Sequence, residues 1–256
     1  MNKSKACLAW SLVLLLPSLA TAQQKSFVSC PIVRDTKTVP CYLAEYEGEL
    51  YYLGVQQDIT AAFHPPQLKH EVLVEGKVAP GPRVCGGIPL QPLSISVIKE
   101  LNQACNTLLP SEPGIDAPAV ARPAGPSTRR PEPAGKNAQP TVSETVRVEI
   151  FIVLYAFNDD YLEFANNRVV NEAAAYAKKI SAASVRVFGY RATTLLSNGN
   201  KLVEKEGLAE KRAQDVATLL KGLGVAKVSA DWKSEAEPAD GQTDPSRRRV
   251  TITVTP

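Results

Sequence analysis

The chain has 256 residues, 44% of them hydrophobic, and a formal net charge of +3. These values fit one or two modest globular domains. They argue against a nucleic-acid-binding protein, because the charge is small and no basic stripe with interleaved aromatic residues occurs. Beyond the N-terminus no apolar run is long enough to cross a bilayer as a helix.

The N-terminus, residues 1–22, has the pattern of a secretory signal peptide. Lys3 and Lys5 form a positive region, residues 6–16 are apolar, and Ala20-Thr21-Ala22 has small residues at the cleavage-site positions. We predict cleavage after Ala22 and export of the mature chain.

Four cysteines remain in the mature chain, at positions 30, 41, 85 and 105. An even number in an oxidising compartment predicts two disulfides. Zinc binding is the rival interpretation, but Cys30 and Cys41 lack metal-ligand spacing and the chain has two histidines. Four cysteines allow three connectivities. Among them we favour Cys30 with Cys105, and Cys41 with Cys85.

All four cysteines lie within residues 23–110, which we predict to be one disulfide-stapled domain. Short alternating stretches separated by Glu47-Gly48 and Pro80-Gly81-Pro82 predict mostly strands. With a helical connection near residues 58–63, the order is similar to a small barrel of the OB type. His64 and His70 have no nucleophile or carboxylate at a meaningful spacing, so we expect surface-loop histidines and no catalytic residue.

Residues 111–141 form a linker rich in proline and alanine. Such a composition cannot bury a core and predicts an extended, semi-rigid tether. A tether between two exported domains would let one be held in place while the other reaches across a gap.

Residues 142–256 alternate strands with helices. Residues 146–154 alternate as a strand, a helix with an apolar stripe follows near residues 162–180, and residues 185–188 form a second strand. Residues 190–207 are predicted to be a loop. Two further strands, near 226–232 and 247–254, are predicted to form a closing hairpin. The fold class is therefore α+β, a two-layer βαβαββ sandwich with the helices on one sheet face.

A second helix begins at Leu208 and carries Arg212. Its apolar stripe repeats at steps of four, three and four residues, and Gly224 ends it. Arg212 lies at the edge of the stripe, where we expect its stem to be packed and its guanidinium fork to be free. The residues of the stripe are Ala209, Ala213, Val216 and Leu220.

The stretch from about Glu149 to Val254 resembles the OmpA-like, or OmpA/MotB-type, peptidoglycan-binding domain. The resemblance rests on a first strand rich in aromatic residues, a second strand ending in glycine, the helix with its arginine, and two closing landmarks. These are Tyr155-Ala156-Phe157-Asn158, Val185-Arg186-Val187-Phe188-Gly189, Leu208-Ala209-Glu210-Lys211-Arg212-Ala213-Gln214-Asp215-Val216, Gly224-Val225 and Arg248-Arg249-Val250.

The resemblance also implies a binding site. In the family, the helix arginine and an aspartate hold the diaminopimelate of peptidoglycan stems, which implies that Arg212 takes a carboxylate and that Asn158 is a further polar contact. The aspartate position holds Ala192, and Arg191 and Lys205 are additional candidate anion contacts. The nearest carboxylates in the sequence are Glu204 and Glu206, which would compensate if the loop folds back.

We therefore predict an exported, non-catalytic envelope protein of the periplasm that associates with peptidoglycan, weakly because of Ala192. Any attachment to the outer membrane would be made through a partner. One alternative is a degenerate OmpA-like scaffold that binds an envelope protein partner, with the N-terminal domain as a possible contact surface. Another is an enzyme with its active site in the disulfide domain. No cofactor, metal site, nucleic-acid partner or transmembrane segment of the mature chain is predicted.

Overall fold

The computed structural model describes residues 23–56, 66–119, 147–162, 164–239 and 245–256. The predicted signal peptide, the helix near residues 58–63 and most of the predicted linker lie outside these ranges. The described residues form an N-terminal β domain and a C-terminal α+β domain. None of their helices is long and apolar enough to cross a membrane.

The described part of the N-terminal domain has seven strands: β1 (Gln24–Ser29), β2 (Pro31–Arg34), β3 (Cys41–Tyr46), β4 (Glu49–Val55), β5 (His70–Val78), β6 (Ile88–Leu101) and β7 (Thr107–Leu109). They form one sheet in the order β1-β5-β6-β4-β3-β2-β7. Consecutive strands β1 and β2 pair with β5 and β3 respectively, so the sheet curls round and returns to one stretch of chain. Its core includes Phe27, Leu53 and Val74.

Two disulfides staple this domain, and both have the favoured connectivity. Cys30 bonds Cys105 and Cys41 bonds Cys85, closing sequence separations of 75 and 44 residues. Loops of this length lose substantial conformational freedom in the unfolded chain when they are closed. The domain's packing continues past residue 110, because Ile115 and Ala117 lie against the cluster around the Cys41–Cys85 bond.

The elements of the C-terminal domain are β8 (Glu149–Leu154), α1 (Phe164–Lys179), β9 (Ser184–Gly189), β10 (Thr193–Leu195), β11 (Lys201–Val203), α2 (Leu208–Gly222), β12 (Val228–Trp232) and β13 (Arg249–Thr255). Four of the strands form a sheet in the order β12-β9-β13-β8, and both helices pack on one of its faces. Val187 and Ile252 from the sheet and Val216 from a helix are buried between the two layers. This confirms the α+β class.

Two predictions for this domain were wrong. The last two strands do not form a hairpin, because β9 lies between them, parallel to β12 and antiparallel to β13. Alternation along β13 shows that one face is buried but says nothing about which strands flank it. The predicted loop at residues 190–207 contains a β10–β11 hairpin, whose three-residue strands are too short for a periodic signal.

The two domains pack against each other. Leu73 of the N-terminal domain forms a small apolar cluster with Phe157 and Leu196 of the C-terminal domain. Beside the cluster, Glu75 pairs with Arg248, each about 1% exposed, with an Nη2 to Oε2 distance of 2.5 Å. In the described arrangement the two domains are therefore in direct contact.

Candidate functional site

Arg212 lies inside the C-terminal domain. Helix α2 packs the predicted apolar stripe into the core. Arg212 lies on the same buried side of the helix, beside Ala213 of the stripe, and faces the ends of β8 and β9. The side chain of Arg212 is 0% exposed. The expectation of a free fork was therefore wrong: the arginine lies on the buried side of the helix, and tertiary contacts rather than water surround its guanidinium.

The carboxylate of Glu204 pairs with this guanidinium through two hydrogen bonds. Arg212 Nη2 donates to Oε1 at 2.7 Å and Nη1 donates to Oε2 at 3.1 Å. The Glu204 side chain is also 0% exposed. Burial without partners would make either charge very costly, whereas the parallel, two-point geometry and mutual neutralisation offset that cost.

Two backbone amides complete the environment of Glu204. The N–H of Asn158 donates to Oε1 at 3.0 Å, and the N–H of Ala192 donates to Oε2 at 2.9 Å. Each carboxylate oxygen therefore accepts one bond from the guanidinium and one from the backbone. We call the Arg212 guanidinium and the N–H groups of Asn158 and Ala192 the carboxylate cradle.

The remaining donors of Arg212 reach backbone carbonyls. Nε donates to Asp159 O at 2.8 Å, Nη1 to Tyr190 O and Nη2 to Ala156 O, both at 3.2 Å. The guanidinium carbon also lies 4.6 Å from the ring centroid of Tyr155, whose phenol pKa is raised by burial. All five N–H donors of the guanidinium thus have acceptors.

Two backbone features position the cradle. Asn158 has φ of +54°, a left-handed conformation that asparagine tolerates better than most residues, and this turns its N–H toward Glu204. Gly189 ends β9 where α2 crosses, and a Cβ there would lie 2.0 Å from the carbonyl oxygen of Ala209. Glycine is therefore required for α2 to seat at the depth that buries Arg212.

The structure places the other predicted site residues around the cradle. The Asn158 side-chain oxygen, a predicted ligand contact, accepts an internal hydrogen bond from the Lys205 N–H at 2.8 Å. Arg191 donates to the carbonyl oxygens of Ser234 and Glu204. Lys205 pairs with Glu100 of the N-terminal domain at 2.8 Å.

From the sequence, Glu204 is only one of two carboxylates near the position of the missing aspartate. The β10–β11 hairpin folds back and brings its carboxylate to Arg212. No sequence pattern indicates that the Ala192 backbone N–H contributes to the site. A histidine site finds no support among the described residues: the His70 ring nitrogen Nδ1 lies 2.8 Å from the Ile98 carbonyl oxygen, and His64 is outside them. Within the same ranges no group of three potential metal ligands occurs.

The C-terminal part of the chain is similar to several solved structures. They include the OmpA-like domain of FopA1 from Francisella tularensis (24% identity, 43% of this chain and 73% of that one, TM-score 0.34). The peptidoglycan-associated lipoprotein from Burkholderia pseudomallei gives 21% identity over 41% and 90%, with a TM-score of 0.33. The periplasmic domain of Helicobacter pylori MotB gives 20% over 43% and 76%, with a TM-score of 0.34.

The C-terminal domain resembles OmpA-like domains. No protein-family model matches the sequence, and no curated protein matches it significantly. The helix arginine expected from the resemblance is present in the C-terminal domain, but its fork is occupied by Glu204. At the position where the resemblance implies an aspartate, Ala192 supplies a backbone N–H to the same carboxylate.

Proposed function

We propose that this protein is an exported, non-catalytic component of the cell envelope whose OmpA-like domain associates weakly with peptidoglycan in the periplasm. The observation that carries the proposal is the carboxylate cradle. A buried guanidinium and two convergent N–H groups suit a carboxylate, which peptidoglycan stem peptides carry. Any link to the outer membrane would run through a partner.

Weak association follows from the occupancy of the cradle. Glu204 already satisfies its four donors, and an internal group competes at an effective concentration on the order of millimolar or more. A stem carboxylate must displace it and gain no additional hydrogen bond from the cradle. The absence of an aspartate at Ala192 also removes the charged partner that would hold an ammonium group.

Co-sedimentation of the mature chain with purified sacculi tests the proposal. We expect a small, saturable pelleted fraction with intact sacculi, and a lower one with sacculi whose carboxylates were converted to amides with a carbodiimide and excess ammonia. Because amidation removes the carboxylates and leaves the cross-linked network intact, the difference between the two preparations measures the proposed recognition without altering the protein.

An unrelated periplasmic protein of similar charge serves as the control for trapping. If the mature chain remains in the supernatant with both preparations over a wide concentration range, association with peptidoglycan is refuted. Equal pelleting with intact and amidated sacculi would also refute recognition through stem carboxylates.

A second candidate function is a scaffold that binds an envelope protein partner. The exposed face of β8 favours it: this strand lies at the edge of its sheet, and Ile150, Ile152 and Leu154 are 61%, 51% and 42% exposed. An apolar row on an edge strand is a common contact surface for another chain. Cross-linking in envelope extracts, compared between the natural chain and Ile152→Lys, tests this candidate. An identical set of cross-linked products would count against it.

We also propose that the N-terminal domain is a barrel of the OB type that contributes contacts rather than catalysis. The strand pairings close into a ring, which supports this. The consecutive strands β1 and β2 pair with β5 and β3 respectively, and β4 lies parallel to β6. Circular dichroism and amide-exchange mapping of the mature chain would contradict it if β4 and β6 exchanged as an unpaired edge.

A further inference from the structure

Glu204 is delivered to the cradle by the β10–β11 hairpin. It follows directly after β11 (Lys201–Val203), and its own N–H donates to the carbonyl oxygen of Ala192 at the start of the hairpin. Ala192 is anchored on its other side, because the Thr193 N–H donates to Glu237 O and the Glu237 N–H donates to Arg191 O, each at 2.8 Å. A displacement of residues 196–204 away from the OmpA-like domain therefore withdraws the carboxylate from Arg212 and leaves the Ala192 N–H in place.

The N-terminal domain holds this hairpin from outside. Ser26 and Ser197 exchange two hydrogen bonds: the Ser26 N–H donates to Ser197 Oγ at 2.9 Å, and the Ser197 N–H donates to Ser26 O at 2.7 Å. Leu196 is buried in the cluster with Leu73, and the Lys205 ammonium reaches Glu100. Strands β1, β5 and β6 thus all contact the hairpin or the residue that follows Glu204.

The opposite wall of the cradle is held by the same domain. The Phe157 N–H donates to Ser96 Oγ at 2.8 Å, one residue before the Asn158 N–H that contacts Glu204. The Lys99 ammonium lies 2.8 Å from Asp159 Oδ1, one residue after it, and this hydrogen bond raises the pKa of Lys99. The N-terminal domain therefore fastens both segments that meet at Glu204.

A buried pair fixes the two domains beside these contacts. Arg248 donates to both oxygens of Glu75 and, at 3.1 Å, to Thr194 Oγ1 of the hairpin. Arg248, Glu75 and Thr194 are all buried. The domain interface and the hairpin thus share one polar network, and separating the domains would disturb the hairpin directly.

We propose that the described arrangement is a closed state of a carboxylate-binding site: Glu204 is an internal ligand, and the docked N-terminal domain keeps it in the cradle. When the domains separate, the hairpin moves, Glu204 leaves, and an external carboxylate takes its four donors. The site's ligand class follows from those donors. Only the source of the external carboxylate rests on the proposed function.

Removal of the internal ligand tests whether the cradle is a carboxylate site. We expect Glu204→Gly in the mature chain to lower the melting temperature, and sodium acetate at 100 mM to restore roughly 3 °C of it relative to sodium chloride at equal ionic strength. If the variant does not fold, refolding yield in acetate against chloride replaces the melting temperature. No advantage of acetate over chloride would overturn the proposal.

Glu204→Gln is the matched variant. Its amide fills the same volume but presents an NH₂ group to donors, so it should destabilise the chain without leaving room for acetate. Glu206→Gly, two residues away in the same segment, controls for added backbone freedom. Rescue by acetate in either control, at the level seen with Glu204→Gly, would assign the effect to the salt rather than the cradle and overturn the proposal.

Opening of the interface tests the role of the N-terminal domain. Leu196→Asp places a carboxylate in the interdomain cluster with Leu73 and Phe157, which is separate from the core of each domain. We expect amide hydrogen exchange at Asn158 and Ala192 to accelerate at least about tenfold, since each 1.4 kcal/mol of lost protection is a factor of ten. Leu219→Asp, on an exposed part of α2, is the matched control and should leave both amides unchanged.

Unchanged exchange at Asn158 and Ala192 in Leu196→Asp overturns the closed state, whether or not the Ser197 amide exchanges faster. These measurements need no peptidoglycan. If acetate rescue and faster exchange are both observed while neither the natural chain nor Leu196→Asp pellets with sacculi, the closed site stands and the proposed function fails. Conversely, pelleting without acetate rescue would refute the internal ligand alone.

Discussion

The molecule contains two buried arginine–glutamate pairs that differ in what surrounds them. Arg212 and Glu204 are eight residues apart, and every donor and acceptor they offer is matched within one domain. Glu75 and Arg248 are 173 residues apart and join two domains. Beyond the carboxylate, Arg248 contacts Thr194 Oγ1 and, at 3.4 Å, the Tyr155 carbonyl.

The difference shows that similar burial can serve two roles. The first pair is enclosed by a single hydrophobic core and its two nearest backbone amides, so it can be hydrated only if that domain deforms. The second is enclosed by an interface between two separately packed cores, so it is hydrated when the domains part. The first stabilises a site; the second controls its accessibility.

The largest effect should come from breaking the inner pair on one side. Arg212→Met leaves the Glu204 carboxylate buried with two N–H donors and no cation, which should cost about 3–5 kcal/mol of unfolding free energy. Urea denaturation followed by circular dichroism measures the loss.

The double variant Arg212→Met with Glu204→Met is its control. Removal of both charges avoids the uncompensated carboxylate, so we expect it to be more stable than Arg212→Met alone. If the double variant loses as much unfolding free energy as Arg212→Met and Glu204→Met lose separately when added together, the two side chains do not act as a pair.

A smaller effect is expected at the outer pair. Glu75→Gln removes the charge opposite Arg248. Because separation of the domains gives the guanidinium access to water, we expect the unfolding free energy to fall by only about 1–3 kcal/mol. The loss should appear as a lower-temperature step in calorimetry or as faster exchange at the Ser197 and Phe157 amides. Glu71→Gln, on the same strand but outside this pair, is the comparison. A single unchanged transition would show that the pair does not control docking.

The smallest effect concerns the exposed pairs at the rim of the interface. The hydrogen bond from the Lys205 ammonium lowers the pKa of Glu100 below its ordinary value of 4.5. The stabilising contribution of the Glu100–Lys205 pair is therefore complete above pH 4.5 and is lost as the pH falls through the lowered pKa of Glu100. Exposed pairs contribute less than about 1 kcal/mol.

Melting temperatures between pH 7 and pH 3 test this dependence. In Glu100→Gln we expect a slightly lower plateau near pH 7 and a slightly shallower decline in acid than in the natural chain. Lys99 affects stability at high pH instead. Because its hydrogen bond to Asp159 raises its pKa, the contribution of this pair is complete below pH 10.5 and is lost as the pH rises through the raised value. If the melting temperatures of the two chains fall identically in acid, the Glu100 pair does not stabilise the interface.

Much of the secondary structure could be predicted because it depends on neighbours in the sequence. The stripe of α2 and the helix end at Gly224, which has φ of +81°, were visible as period and residue type. The favoured disulfide connectivity was also confirmed. The order of β12, β9 and β13 was not predictable, because strand alternation carries no information about lateral neighbours.

The sequence by itself determined which residues have the chemistry for a carboxylate site, since Arg212 lies at a fixed place on a periodic helix. Only the tertiary structure decided that its partner is Glu204 rather than an external group, and that the N-terminal domain fastens both walls around it. The physical reason is the cost of burial. A guanidinium removed from water must find acceptors, and which acceptors are within reach depends on contacts between residues up to 56 apart, such as Ala156 and Arg212, which no local pattern records.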